Sequence, residues 1–277
     1  MDGPPTAELG GEAALRERVR AVGRLLVAYS GGVDSALLAV VAAQELGTGA
    51  VAVTAVSASL PHSERVAARA FARAHGVSHV EVCTDELDRP EYAANDGDRC
   101  YHCKSALLDV LTPLAALSGA RIALGTTCDD LGDHRPGQRA AAARGAIAPL
   151  VEAGLGKADV RRISAGLGLG TADKPAAACL SSRVAYGEPV TVEVLGRIER
   201  AEDAVRALGF AVCRVRSHGD GSVARIEVPA ADVPRAADLR RELDAAVRAA
   251  GFAFCALDLQ GFASGRMNVL LGLPALR

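Results

Sequence analysis

The string SGGVDS at residues 30–35 has the residue types that bind an anion. It lies between an apolar run at 24–29 and a helical pattern at 34–46, so we expect a turn from a strand into a helix. Glycine lets the backbone approach an anion, a helix N-terminus offers free N–H groups, and serine adds hydroxyl donors. The string itself contains no lysine followed by Ser or Thr, so this is not a Walker-type loop. The pattern predicts a phosphate-binding loop with Asp34 as a candidate Mg²⁺ ligand; an ordinary capped turn is the alternative.

Cysteine is the second chemically reactive residue type, with seven copies. Three lie in apolar, strand-like runs and are predicted to be small core residues: Cys83, Cys213 and Cys255. Four lie beside Gly, Pro and polar residues, which predicts loops: Cys100, Cys103, Cys128 and Cys179. The CxxC pair formed by Cys100 and Cys103 is typical of zinc, redox and iron–sulfur sites. Zinc needs a fourth N or S ligand, which His102 is badly placed to supply. The residues alone leave the three kinds of site open.

Composition and charge narrow the class of protein. Half of the 277 residues are hydrophobic and Trp is absent, which predicts a large core of Ala, Val and Leu. The 31 basic and 33 acidic residues nearly balance, which argues against a nucleic-acid surface. No apolar run has the length of a membrane span, and residues 1–19 do not resemble a signal peptide. We expect a cytoplasmic protein, in which the cysteines do not form a disulfide framework.

Strand-like and helical patterns alternate through the first two-thirds of the chain. The predicted strands are 24–29, 50–56, 79–83 and 121–124, and the predicted helices between them are 34–46, 63–75 and 101–117. This order predicts βαβ units in a parallel sheet, with a ligand beyond the carboxyl ends of its strands. A helix at 192–208, strands at 211–216 and 222–228, a helix at 233–250 and a strand at 252–259 follow. We therefore predict two domains, 1–188 and 189–277.

Three further stretches resemble one known family. They are DRCYHCK at 98–104, GTTCDD at 125–130 and DKPAAACLSSR at 173–183. Together with SGGVDS, they resemble the LarE family of ATP-dependent sulfur transferases, which belong to the PP-loop ATP pyrophosphatases. The resemblance extends from about residue 8 to near the C-terminus. It implies an α/β fold: a parallel-sheet PP-loop domain of the adenine nucleotide alpha hydrolase-like type, followed by a small α+β domain.

The resemblance also implies an activity. LarE-type enzymes adenylate the carboxylates of pyridinium-3,5-dicarboxylate mononucleotide, release pyrophosphate and AMP, and produce thiocarboxylates for the nickel-pincer cofactor of lactate racemase. ATP and Mg²⁺ are the implied cofactors. The implied nucleotide- and substrate-binding residues are Ser30, Gly31, Gly32, Asp34, Ser35, Gly125, Thr126, Asp129, Asp130 and Arg216. From the residues alone, helix or turn capping is the alternative role for Asp129 and Asp130. A cross-strand ion pair is the alternative role for Arg216.

Sulfur transfer is implied at Cys179, with Arg183 as a second catalytic residue. One LarE subgroup gives up the sulfur of the cysteine at this position. Another holds a [4Fe-4S] cluster with three cysteines, here Cys100, Cys103 and Cys179, which leaves one iron open to carry sulfide. The family has Arg where this chain has Ala263, so Arg266 is an alternative phosphate ligand. Arg135 is a candidate phosphate ligand or a structural ion-pair partner.

Other functions share parts of this pattern. A tRNA-thiolating PP-loop enzyme would also use three cysteines, but the near-neutral charge argues against it. A ligase related to GMP or NAD synthetase would not need the loop cysteines. A redox sensor would bind nucleotide without releasing pyrophosphate. We expect a small-molecule pyridinium mononucleotide as substrate, no nucleic-acid or membrane partner, and a homo-oligomer; the sulfur donor is open.

Overall fold

The computed structural model describes residues 11–132, 136–175, 178–263 and 266–271. Its strands are β1 Leu25–Ala28, β2 Ala50–Val56, β3 His79–Cys83, β4 Arg121–Leu124, β5 Arg214–His218, β6 Val223–Glu227 and β7 Phe254–Leu257. Its helices are α1 Glu12–Val22, α2 Val33–Leu46, α3 His62–Ala74, α4 Pro90–Ala93, α5 Arg99–Ser118, α6 Pro136–Ala143, α7 Pro149–Glu152, α8 Lys157–Gly166, α9 Val192–Ala207, α10 Val233–Asp238 and α11 Arg240–Ala249. None of these helices is long and apolar enough to cross a membrane.

The first sheet is parallel and has the strand order β3-β2-β1-β4. All four residues of β1 are buried, because it lies between β2 and β4. Strand β2 lies on one side of β1, and the chain later returns to place β4 on the other side of β1. The strand order therefore reverses beside β1, and ligands of open parallel sheets bind at such a point. The predicted parallel α/β sheet is confirmed, with β2, β3 and β4 at their predicted bounds.

Helix α2 supplies much of the core beneath the SGGVDS loop. Nine of its residues are buried, from Val33 to Ala42, because the helix is apolar on nearly every side. It packs against α1 and α8 and against the first two strands. The core residues are mostly Ala, Val and Leu, as predicted. This packing gives the loop that precedes α2 a rigid base.

The second sheet is mixed, with β5 antiparallel to β6 and β6 parallel to β7. Strand β5 begins at Arg214, three residues later than predicted. The single helix predicted at 233–250 is wrong, because Leu239 leaves the helical conformation between α10 and α11. The apolar periodicity continues across this one-residue break and did not reveal it.

The described residues form two compact units. Unit 1 is drawn from Met1–Val56, His62–Thr84 and Cys103–Ala177, and unit 2 from Ser57–Pro61, Asp85–His102 and Ala178–Arg277. The first sheet belongs to unit 1 and the second to unit 2. Residues 178–188, assigned above to the first domain, group with unit 2. The domain bounds 1–188 and 189–277 stay a prediction.

The three cysteines predicted to be core residues differ in exposure. Cys83 is exposed, so its predicted burial in the core is wrong: it ends β3, which among the described strands lies at the edge of the sheet and pairs on one side only. Cys213 is fully buried, and burial raises the pKa of its thiol to about 11. Cys255 is half-buried, and desolvation raises its pKa to about 11 as well.

Candidate active site

Two serines hold the SGGVDS loop closed in unit 1. The Oγ atoms of Ser30 and Ser35 lie 3.1 Å apart, and the backbone N–H of Ser30 donates to Ser35 Oγ at 3.2 Å. The hydroxyl of Ser35 also donates to the carbonyl of Gly32 at 3.1 Å. These bonds join the start of the loop to the first turn of α2. The loop is therefore pre-organised by its own side chains.

Glycine is required at two points of this loop region. Gly31 has a φ of +74°, a conformation that L side chains rarely adopt. Gly125, directly after β4, lies so close to the start of α2 that a Cβ would be 2.8 Å from the backbone nitrogen of Ser35. The loops after β1 and β4 are thus in backbone contact at the point where the strand order reverses. Ser30, Gly31, Gly32, Asp34, Ser35 and Gly125 are brought together, with Thr126 following directly.

Two lysines from distant parts of the chain contact this loop. Lys157, the first residue of α8, places its Nζ 2.5 Å from Asp34 Oδ2. Lys174 donates from Nζ to the carbonyl of Gly31 at 3.0 Å and to Glu64 Oε2 at 2.6 Å. Sequence reasoning missed both lysines, because they lie 123 and 143 residues from their loop partners. A usable signal was present, since the chain has only three lysines among its 31 basic residues.

One of the two carboxylate oxygens of Asp34 has no partner within the described residues. Its Oδ2 pairs with Lys157, whereas its Oδ1 is buried and makes no hydrogen bond within the described residues. A buried carboxylate oxygen without a partner is costly. Mg²⁺ prefers carboxylate and phosphate oxygens. The site therefore fits the Mg²⁺ that the sequence predicts beside Asp34.

Asp129 and Asp130 follow β4 and form caps. The backbone N–H of Lys157, at the start of α8, donates to Asp129 Oδ2. Asp130 Oδ2 accepts from the backbone N–H of Thr127 at 2.9 Å and from its hydroxyl at 3.0 Å. The capping alternative thus describes the contacts of both side chains. Contact with a nucleotide stays a prediction for both, and exposed Asp129 is the better placed.

Arg183 holds the main chain of residues 178–182 in unit 2, which we call the Cys179 loop. Its Nη1 donates to the carbonyls of Ala178 and Cys179, at 2.5 and 2.8 Å. Its Nε donates to Glu202 Oε1 at 2.9 Å, and both side chains are almost completely buried. Arg183 therefore contacts the backbone beside the thiol, as a positioning residue does. The catalytic role predicted for it stays a prediction.

A ring of three buried hydroxyl groups supports the same loop. Ser59, Tyr92 and Ser181 are mutually hydrogen-bonded, with oxygen separations of 2.8, 3.0 and 2.6 Å. Buried Arg99 donates to the carbonyl of Ser181 at 2.9 Å and to Asn95. Arg99 directly precedes Cys100, so the backbones beside Cys100 and Cys179 are connected by one side chain.

Tyr186 is near both of those cysteines. Burial raises the pKa of its phenol, the Arg99 cation opposes this shift, and the charges of Cys100 and Cys179 raise it further. Arg99 also lies 5.6 Å from the Tyr186 ring centroid. The raised pKa keeps the phenol protonated at neutral pH.

Arg216 also contacts the Cys179 loop. Its Nη1 donates to the carbonyl of Ser182 at 3.0 Å, and its Nε and Nη2 donate to buried Glu227 at 3.0 and 2.9 Å. The ion-pair alternative given above therefore describes its contacts, and phosphate binding stays a prediction. Arg225 pairs with the same Glu227 at 3.1 Å.

Some predicted residues lie outside the described part of the chain. Residues 133–135, with Arg135, and the side chain of Arg266 are among them. Ala263 is described and exposed. The choice between Ala263 and Arg266 for a phosphate contact stays open.

Relatives of known sequence cover almost the whole chain. An uncharacterized protein of Synechocystis sp. is 46% identical over 260 residues, which cover 93% of this chain and 96% of that protein. The pyridinium-3,5-bisthiocarboxylic acid mononucleotide synthase of Lactiplantibacillus plantarum is 35% identical over 259 residues, 93% of each chain. The chain belongs to the LarE family. It is therefore an enzyme of the PP-loop ATP pyrophosphatases.

Two further matches are consistent with LarE membership. The asparagine synthase family model matches residues 12–94, which include the SGGVDS loop and α2. An uncharacterized protein of Methanocaldococcus jannaschii is 27% identical over 208 residues, 74% of this chain and 78% of that protein. The PP-loop family implies the use of ATP and Mg²⁺.

The three cysteines implied as cluster ligands come from two segments, with Cys100 and Cys103 in α5 and Cys179 directly before Leu180. The loops predicted for Cys100 and Cys103 are wrong, because both residues lie in the first turns of α5, one turn apart. Within the described residues, however, no three His, Cys, Asp or Glu side chains are close enough together to hold a metal ion. The donor set of three thiols suits an iron–sulfur cluster, but its assembly stays a prediction.

Proposed function

We propose that this LarE-family enzyme adenylates the carboxylates of pyridinium-3,5-dicarboxylate mononucleotide and converts them to thiocarboxylates for a nickel-pincer cofactor. The observation that carries the proposal is the alignment with the L. plantarum synthase over 93% of both chains. The name of that protein states its product, a bisthiocarboxylic acid mononucleotide. The geometry of the SGGVDS loop and of the Cys179 loop supports the two halves of the reaction.

The first half of the reaction is adenylation. A substrate carboxylate oxygen attacks the α-phosphorus of ATP, an acyl-phosphate bond forms, and pyrophosphate leaves. Ser30, Ser35 and the N-terminal N–H groups of α2 would bind the departing pyrophosphate. Mg²⁺ on Asp34 Oδ1 would balance the charge that develops on it. Lys157 and Lys174 add positive charge that the loop itself lacks.

The second half of the reaction is sulfur transfer. A sulfur nucleophile attacks the carbonyl carbon of the acyl-adenylate, and AMP leaves with the former carboxylate oxygen. Cys179 is proposed to supply or carry that sulfur. Its main chain is held by Arg183, while its half-buried Sγ makes no hydrogen bond within the described residues. A fixed backbone with an unbonded thiol suits a group that must react and be released.

An iron–sulfur cluster is the proposed means of repeated turnover. Bound by Cys100, Cys103 and Cys179, a [4Fe-4S] cluster would supply an open iron for an exchangeable sulfide. Without the cluster, Cys179 would give up its own sulfur once and become dehydroalanine.

Product analysis tests the proposal. Anaerobically prepared enzyme is incubated with ATP, Mg²⁺ and the pyridinium dicarboxylate mononucleotide; released pyrophosphate and AMP are measured, and the product is examined by mass spectrometry. We expect one sulfur-for-oxygen exchange per carboxylate, loss of pyrophosphate release in Asp34→Asn, and loss of sulfur transfer in Cys179→Ala. Cys128→Ala is the matched control, since Cys128 bonds only weakly to the carbonyl of Val151. Pyrophosphate release without any dependence on the mononucleotide would contradict the proposed acceptor.

Two measurements on the protein identify the source of the sulfur. Iron and acid-labile sulfide content, measured before the reaction, tests the cluster. The mass of the Cys179 peptide, measured afterwards, tests donation by the cysteine. Iron-free enzyme whose Cys179 peptide loses sulfur would contradict the cluster and leave the sulfur-transferase proposal standing.

A further inference from the structure

Lysine is scarce in this chain and concentrated at its predicted sites. Of the 31 basic residues only Lys104, Lys157 and Lys174 are lysines. Lys104 directly follows the CxxC pair, and the other two contact the SGGVDS loop. All the other basic residues are arginines, so a compact ammonium group distinguishes these three positions. An ammonium is a point charge that can change partners, whereas a guanidinium is a planar fork.

The two lysines at the loop have different partners. Lys174 is bonded to a backbone carbonyl, that of Gly31, and to Glu64. Lys157 is bonded to Asp34, the residue proposed above as the Mg²⁺ ligand. The ammonium of Lys157 would therefore compete with a metal ion for one carboxylate, and the ammonium of Lys174 would not.

The main chain of Lys157 is fixed while its ammonium group is accessible. Its backbone N–H donates to Asp129, which anchors the first residue of α8. Its side chain is 39% exposed, compared with 20% for Asp34. An anchored backbone and a flexible four-carbon stem let the ammonium reach a second partner without movement of the helix.

We propose that Lys157 blocks Asp34 against free divalent cations and moves to the phosphates when nucleotide binds, so that metal and nucleotide bind together. This inference rests on the proposed use of ATP. In the absence of nucleotide, the Lys157 cation neutralises Asp34 and repels a second cation. Bound triphosphate offers the ammonium new oxygen partners. Asp34 is then free to accept the metal ion that the nucleotide brings.

The sharpest test measures metal binding without catalysis. Mn²⁺ replaces Mg²⁺, and its free concentration is followed by electron paramagnetic resonance with and without the non-hydrolysable analogue AMPPNP. We expect weak Mn²⁺ binding to the wild-type protein alone and tight binding when the nucleotide is present. In Lys157→Met, Mn²⁺ should bind about tenfold or more tightly without nucleotide, because the competing charge is gone. The double variant Asp34→Asn/Lys157→Met should lose this gain.

Two further variants separate charge from position. Lys157→Arg keeps the cation and should keep Mn²⁺ binding weak in the absence of nucleotide. Arg162→Met, on the same helix, removes an equal charge from an exposed pair with Asp159 and should leave the Mn²⁺ affinity unchanged. Circular dichroism of every variant checks that it is folded.

The outcomes distinguish this inference from the proposed function. Equal nucleotide-free Mn²⁺ affinity in the wild type and Lys157→Met would overturn the role of Lys157, whatever the enzyme produces. An equal gain in Mn²⁺ affinity in Arg162→Met would also overturn the role of Lys157. An absence of mononucleotide-dependent pyrophosphate release would overturn the proposed acceptor and leave the Mn²⁺ result standing.

Discussion

The backbone of the Cys179 loop depends on one buried arginine, and this dependence can be measured. Arg183 donates to the carbonyls of Ala178 and Cys179 and pairs with Glu202, and its side chain is only 3% exposed. Arg183→Met removes these donors while keeping an unbranched side chain of similar length. It leaves a carboxylate that is 1% exposed with fewer partners. We expect both the stability of the fold and the order of the loop to fall.

The expected size of the effect follows from burial. Removal of one partner from a buried ion pair costs about 3–5 kcal/mol of unfolding free energy. Arg206 pairs with the same Glu202 from a position that is 32% exposed and one turn away on α9. Loss of a solvent-exposed pair at this spacing costs about 0.3–0.5 kcal/mol, and loss of this half-exposed pair should cost more than that but less than loss of the buried Arg183 pair. Arg206→Met therefore removes the same charge from the same carboxylate and is the matched control.

Two readouts are needed, since stability alone does not report on the loop. Urea unfolding followed by far-ultraviolet circular dichroism gives the free energy of unfolding; the chain has no Trp to report by fluorescence. Isotope-coded alkylation with peptide mass spectrometry gives the reaction rate of the Cys179 thiol in the folded protein. The rate should rise in Arg183→Met and stay at the wild-type value in Arg206→Met. Equal losses of stability in the two variants, or an unchanged Cys179 rate in Arg183→Met, would refute the positioning role.

Three other predictions follow from the described contacts. Gly125→Ala should destabilise unit 1 and abolish ATP binding, measured by calorimetry, because the added Cβ would overlap the backbone of Ser35. In the control Gly170→Ala the added Cβ has open space, so stability and ATP binding should be unchanged. The guanidinium groups of Arg65 and Arg69 lower the pKa of Glu81 from about 4.5 to about 2. The stabilisation from this carboxylate is therefore present above pH 4.5 and is lost as the pH falls towards 2. The difference in urea midpoint between the wild type and Glu81→Gln should shrink over that interval. At pH 8, thiol labelling of the folded protein should modify Cys83 rapidly and Cys213 only after unfolding, and similar rates for the two would contradict their burial.

The sequence predicted the first sheet well because its signals are local. Strands β2, β3 and β4 are short apolar runs between turns, and their bounds match the structure. The break at Leu239 and the exposure of Cys83 were not predictable in the same way. The first depends on the backbone conformation of one residue, and the second on which strand forms the edge of the sheet. Neither property is present in the apolar periodicity.

The candidate site was predicted unevenly for a related reason. The SGGVDS loop is one local string, and its residues were identified together. The cations that complete its charge come from α8 and from the DKP segment, through contacts that span more than 120 residues of sequence. Asp129 and Asp130 could be placed at the correct edge of the sheet, but whether a carboxylate caps a turn or contacts a ligand depends on where α8 begins.

The SGGVDS loop of unit 1 and the Cys179 loop of unit 2 each show the same physical arrangement, in which main-chain atoms are fixed and the reacting group is not. In the SGGVDS loop, serine hydroxyls and Lys174 bond to backbone atoms, while Asp34 Oδ1 has no partner within the described residues. In the Cys179 loop, Arg183 and Arg216 bond to backbone carbonyls and the Cys179 thiol makes no hydrogen bond there. A metal ligand and a sulfur carrier each have to form and break a bond during turnover. Anchoring the backbone keeps such a group in position without competing for its reactive atom. This predicts that Arg216→Met and Arg183→Met alter the alkylation rate of Cys179 in the same direction, and opposite changes would show that the two arginines do not share this role.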